Sequence, residues 1–162
     1  MPELGVVRPY RNRFAIALIA WWSAFGAISV YWALGGGWLL DTAIQGQGLA
    51  LAKQRPMWLT MLVLFTAFIK FGLAWFGYLI MRRKHCKLPR WLYGLFGLTA
   101  GLALCVYGLV FSVPGIPYVL TGDMTTYRWM RLLVWMPQFW VGGIVMLLAT
   151  WNYWRHESRV AS

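Results

Sequence analysis

Lys70 is the residue that any chemistry in this chain would have to use. It sits inside an unbroken apolar run from Met57 to Met81. A charged side chain at mid-bilayer depth costs about 2.5–3.5 kcal/mol on insertion scales, so it is rarely left facing lipid. Thr66, Ala74 and Gly77 share its helical face and are small or polar, which points that face into a bundle. Helical side chains lean toward the helix N-terminus, so Lys70 should reach toward the Met57 end of its span. No acid lies in any apolar run to meet it, because the four acids are Glu3, Asp41, Asp123 and Glu157. Lys70 must therefore meet hydroxyls, carbonyls, water, a bound anion or a carboxylate dipping in from a connecting segment. Asp41 is the favoured carboxylate, since it closes the loop directly after the glycine turn, and Trp38 beside it is a further binding candidate. Two readings stand side by side: a structural lysine that snorkels or bonds backbone oxygens, and a binding site.

Other candidates flank it. Asp123 lies in Thr121-Gly122-Asp123, which is either a turn bonded to its own backbone or a ligand position. Arg128 and Arg131 are a helical turn apart at the start of the last apolar run. They either anchor to headgroups or form an anion clamp with Lys70. Cofactor and metal chemistry is not expected. His85 and His156 both lie outside the apolar runs, so no intramembrane pair exists to hold a haem. No H-E-x-x-H, phosphate-binding loop or dinucleotide turn occurs. No Ser-His-Asp grouping can be assembled on one side. Zinc or an iron–sulfur cluster would lack ligands. Cys86 and Cys105 form neither a C-x-x-C pair nor a disulfide framework, so the redox cysteine pair of a vitamin-K-reductase-like four-span enzyme is absent.

The elements that must position these residues are helices in lipid. The chain has 162 residues, 60% of them hydrophobic and 12% charged. A soluble domain carries about 25% charged residues. We expect a single membrane domain over residues 1–162, an all-α integral membrane four-helix bundle with two longer extracytoplasmic loops. The spans are about 14–34, 57–81, 91–113 and 132–154. At 1.5 Å rise per residue, each covers about 30 Å of hydrocarbon. Lipid offers backbone groups no partner, and no barrel-type alternation is present. The first run, about 21 residues, is too long for a signal-peptide core and no small-residue cleavage site follows it.

The formal net charge of +11 comes from 15 Lys and Arg against 4 acids. These basic residues sit at the ends of the runs, where they set orientation and meet anionic lipid, so nucleic acid is not an expected partner. Ten of them (Arg8, Arg11, Arg13, Arg82, Arg83, Lys84, Lys87, Arg90, Arg155 and Arg159) fall on one side. Four (Lys53, Arg55, Arg128 and Arg131) fall on the other. The positive-inside rule puts both termini in the cytoplasm, and a bacterial inner membrane is the expected location. The link after Met81, nine residues long, should make the second and third spans antiparallel neighbours. The other two connections are long enough to be functional or to carry short helices. Pro137 is expected to kink the last span near its outer end.

The third span carries Gly94, Gly97, Gly101, Cys105, Gly108 and Ser112, all on one helical face. Small residues let helix backbones approach closely in lipid. A packing groove inside one bundle is the leading reading; a homodimer seam and a lipid groove are the others.

Tyr31-Trp32-Ala33-Leu34-Gly35-Gly36 followed by Trp38, together with Pro137-Gln138-Phe139-Trp140-Val141-Gly142-Gly143, resembles a family of small bacterial four-span membrane proteins, the domain-of-unknown-function 3995 type. The resemblance covers about Phe14 to Tyr153 and implies fold and location. That family often has an acid before the proline; Met136 stands there in this chain, so no acid chemistry is implied.

Three function classes follow. The leading one is non-catalytic: binding of a small lipophilic or anionic molecule in the outer half of the bundle, or assistance to a membrane protein partner. The second is an integral membrane enzyme using Lys70 with Asp41 or Asp123 on a lipid-soluble substrate. The third, a transporter, is disfavoured because no intramembrane carboxylate or repeat pair is visible.

Overall fold

A computed structural model describes residues 12–82, 89–113, 116–122 and 125–160. Asp123, Cys86 and His85 fall outside these. Among the described residues there are helices and no strands. In chain order the helices are α1 (Arg13–Ala33), α2 (Leu40–Ala43), α3 (Gln47–Gln54), α4 (Met57–Met81), α5 (Arg90–Ser112), α6 (Ile116–Thr121), α7 (Thr126–Met130) and α8 (Pro137–Val160). A π-helical turn, Arg131–Trp135, joins α7 to α8. Four segments, Arg13–Ala33, Met57–Met81, Trp91–Ser112 and Thr126–Arg155, are long and apolar enough to cross a membrane. The fold is an all-α, four-helix membrane bundle.

Local chemistry sets the helix ends. Asn12 caps α1, its Oδ1 accepting from the backbone of Phe14 at 3.1 Å and Ala15 at 3.2 Å. This side chain is fully buried, and its Nδ2 donates to the carbonyl of Ala149 on α8 at 3.0 Å. The cap therefore also ties the start of α1 to α8. Pro56 and Pro89 precede α4 and α5, where their fixed φ suits a helix entry. At the last span, the kink expected at Pro137 takes a specific form. Proline in a helix interior has no N–H to donate and clashes with the carbonyl four residues back. The chain widens into the π turn instead, with Met136 N–H donating to Arg131 O at 2.9 Å, and Pro137 becomes the first residue of α8.

The packing order differs from the expected one. α1 packs on α4 and on α8, and α8 packs on α5. The short link between α4 and α5 does not make them close-packed partners. They meet through Phe76, whose ring lies 4.9 Å from that of Phe96 and 6.3 Å from that of Tyr93, and a cleft opens between them. The reason is steric: α5 commits its small-residue face to α8 and offers α4 bulky rings, which hold the helices apart.

The core lies at one end of the bundle. Its buried members come from the first half of α1 (Ala15, Leu18, Trp22), the last half of α4 (Leu73, Ala74, Phe76, Ile80), Tyr93 at the start of α5, and the middle of α8 (Met146, Ala149, Tyr153). Gly77 brings α4 close to α1 there, a Cβ at this position meeting Ala15 O at 3.1 Å. The opposite end, where the two long connections return, is less filled and contains the cavities described next.

Candidate functional site

The site is built on the α1–α4 contact, beyond the core. Lys70 is half-buried and its Nζ donates to Ser29 Oγ on α1 at 2.8 Å. Ser29 is buried and its hydroxyl donates to the carbonyl of Phe25 at 3.1 Å. The serine hydroxyl thus uses its lone pair for lysine and its hydrogen for the backbone. Serine in a helix interior commonly bonds backward in this way, and here the habit orients an acceptor toward α4. Ser29 is the only hydrogen-bond partner of Lys70 among the described residues.

Above this pair is a cavity of about 160 Å³ between α1, α2, α3 and α4. Ser29 and Lys70 form its floor; Trp32, Leu40, Thr66 and Arg55 are among its walls, and none of its lining residues is acidic. A second cavity of about 320 Å³ lies beside it and shares Trp32, Leu40, Ala52 and Arg55. Its remaining walls include Asp41 and Lys53. Arg55 stands between the two. It ends α3 in the left-handed region at φ 52°, directly before Pro56, and its guanidinium donates to the carbonyl of Gly35. Gly35 has φ +102°, and a Cβ there would collide with that guanidinium.

The tryptophans hold the connecting segment over these cavities. Trp32 Nε1 donates to the carbonyl of Trp38 at 2.8 Å. Its ring lies 5.2 Å from that of Trp135 in the π turn. Trp135 Nε1 in turn donates to Thr42 Oγ1 on α2 at 3.2 Å. α1, α2 and the start of the last span are thereby joined through two indoles.

Several expected site residues sit elsewhere. Asp41 is exposed on the first turn of α2 and makes no ion pair with Lys70; it lines only the neighbouring cavity. The Trp38 side chain is 65% exposed, and its carbonyl rather than its ring takes part. Arg131 donates to Tyr127 OH at 3.2 Å, one turn back along its own segment. Neither Arg128 nor Arg131 lines the cavity of Lys70, so the clamp expected from them is not assembled; Arg55 is the second cation there. Asp123 lies outside the described residues. No group of three or more potential metal ligands occurs among the described residues.

The small residues of α5 face α8. Added Cβ atoms would meet Trp154 at Gly94, Thr150 at Gly97, Leu147 at Gly101 and the Trp140 backbone at Gly108. Cys105 Sγ lies 3.6 Å from Trp140 O within the same contact. On α8, Gly143 completes the seam: its added Cβ would stand 2.7 Å from Gly101 O.

Ser29 and Arg55 are the site residues that sequence reasoning did not select. Ser29 carried no distinct signal, being one of two serines in the first span, with Ser23. Arg55 was counted only as an orienting charge. Comparison with family models, curated proteins and solved structures gives no match to this chain.

Proposed function

We propose that this chain is a non-catalytic membrane protein that binds a small molecule with an anionic group and an apolar body, in the cavity above Lys70. The observation that carries this reading is the lysine itself. Its ammonium is half-buried among apolar walls with a hydroxyl, not a carboxylate, as partner, and the other cation of the cavity, Arg55, sits at the rim. Withdrawing a charge from water is unfavourable unless it is paired and hydrogen-bonded. A ligand carboxylate or phosphate would supply that pairing, while Trp32, Leu40 and Val63 give its apolar part a wall. Catalysis on a lipid-soluble substrate would call for a carboxylate working beside Lys70, and Asp41 stands in the adjoining cavity instead.

The same reading places the chain in a bacterial cytoplasmic membrane, with both termini inside and the cavity facing out. Its support is the basic asymmetry, ten against four. Kinship with the four-span family is supported by the motifs at Tyr31 and Pro137.

Native mass spectrometry of protein purified in mild detergent tests the function. A small anionic adduct is expected on the wild type and is expected to be lost from Lys70→Met with helicity retained. An adduct held equally by Lys70→Met would sink the reading.

A further inference from the structure

A second site, remote from Lys70, lies in the cleft between α4 and α5. It has a volume of about 310 Å³, roughly twice that of a cavity that takes up a benzene ring. Gly72, Trp75, Phe76 and Leu79 line one wall, with Leu92 and Phe96 opposite. These α4 positions span about 10 Å of helix, a length that a stretch of hydrocarbon chain can follow. Gly72 leaves its share of the wall open, since a Cβ there would meet nothing within 4 Å.

A cation stands beyond the cleft on the same helix. The ring of Trp75 lies 5.0 Å from that of Tyr78, and the Arg82 guanidinium lies 5.4 Å from the Tyr78 centroid. Trp75, Tyr78 and Arg82 are at positions i, i+3 and i+7, so one helical stripe leads from the apolar wall to an exposed cation. Among the described residues Arg82 makes no ion pair. In sequence it opens a connection, residues 82–90, with five Lys and Arg and no acid. An apolar slot with a guanidinium further along the same helical stripe is complementary to a lipid whose acyl chain is followed by a phosphate. Arginine matches phosphate geometry with paired donors.

We propose that the α4–α5 cleft is a binding site for an anionic phospholipid, with one acyl chain against Gly72, Trp75 and Leu79 and the phosphate at Arg82. This site stands independently of the Lys70 cavity. The test uses purified full-length chain in mild detergent, titrated with an equimolar mixture of phosphatidylglycerol and phosphatidylethanolamine and read by native mass spectrometry. The wild type is expected to retain phosphatidylglycerol several-fold over phosphatidylethanolamine: both offer a phosphate to Arg82, but the ammonium of the second is repelled by the guanidinium and the basic connection. Gly72→Leu fills the slot from open space, so it is expected to keep the helical spectrum and melting behaviour and to lose the retained lipid. Arg82→Gln, beyond the cleft, is expected to erase the headgroup preference, whereas Lys70→Met is expected to leave it intact. Equal retention of the two lipids by the wild type would overturn the proposal. So would retention of phosphatidylglycerol at wild-type level by Gly72→Leu, an unchanged preference in Arg82→Gln, or a second protein chain in the cleft that Gly72→Leu displaces.

Discussion

Alanine at Gly108 would put a methyl group 2.7 Å from the backbone nitrogen of Trp140, and 3.1 Å from the Cβ atoms of Phe139 and Trp140. None of these atoms belongs to the far end of a flexible side chain. α5 and α8 would have to separate by several tenths of an ångström along a seam that runs from Gly94 to Gly108. A radial gap of about 0.5–1 Å forfeits a quarter to a half of each dispersion contact, and overpacking costs about 1–3 kcal/mol. Replacing glycine by alanine returns up to about 1 kcal/mol of helix propensity. With the full propensity gain the net loss is then about 0–2 kcal/mol. The same change at Gly72 meets nothing within 4 Å and retains only the propensity term, so that variant should be neutral or more stable. Gly101→Ala should fall between them, because its methyl meets Leu147 Cγ and Cδ2 at 2.9 Å and that side chain can rotate. Thermal unfolding followed by circular dichroism in one detergent ranks the three. At roughly 2–4 °C per kcal/mol for a chain of this size, Gly108→Ala should melt several degrees below Gly72→Ala. If Gly108→Ala melts at or above Gly72→Ala, the seam is not held by backbone proximity and the reasoning fails.

Asn12→Ala removes the cap of α1 and the bond to Ala149 O, and should cost about 1–2 kcal/mol in the same unfolding assay. Lys70→Met keeps volume and removes a desolvated charge, so its melting temperature should stay level or rise while anion retention is lost. A cysteine placed at exposed Gln47 should be labelled by an impermeant maleimide added to intact cells, with Cys86 unlabelled; the reverse pattern would invert the proposed orientation.

The four long helices were legible because a bilayer constrains composition over about 20 residues at a time, and that signal survives any detail of packing. The inward lean of the Lys70 face was a local inference too, resting on residues one turn away. The partner of Lys70 was not local. Ser29 lies 41 residues earlier, and nothing at that position distinguishes it from the hydroxyls that merely bond their own helix. Asp41 was favoured because it closes the loop directly after the glycine turn, but on α2 it stands exposed. α4 and α5 are neighbours without being closely packed, for another reason. A short link limits how far two helix ends can part, and says nothing about how they diverge afterwards. The stripe on α5 satisfies its close-approach face against α8, leaving bulky rings toward α4. The π turn was half legible: Pro137 announced a disruption, while its form depended on the segment before it keeping helical bonds.

The glycine run and the cation site are one construction, and this separates two kinds of glycine in the chain. Gly35 combines φ +102° with the place where the Arg55 guanidinium bonds its carbonyl, so any side chain there meets backbone strain and expels the arginine. Gly108 sits at a helix–helix contact. The tight core lies at the other end of the bundle from Gly35, among Leu18, Ile80 and Met146. Gly35→Ala should therefore be felt first at the cavity. Retention of the anionic adduct should fall, as it does in Lys70→Met, while the melting temperature drops by no more than the few degrees that about 1 kcal/mol represents. Arg55→Gln should reproduce the loss of retention without touching Gly35, since it keeps a donor but removes the charge. If Gly35→Ala unfolds the chain as severely as Gly108→Ala, the glycine run holds the bundle together rather than shaping a site. If both Gly35→Ala and Arg55→Gln retain the adduct, Arg55 has no part in binding and the ligand rests on Lys70 alone.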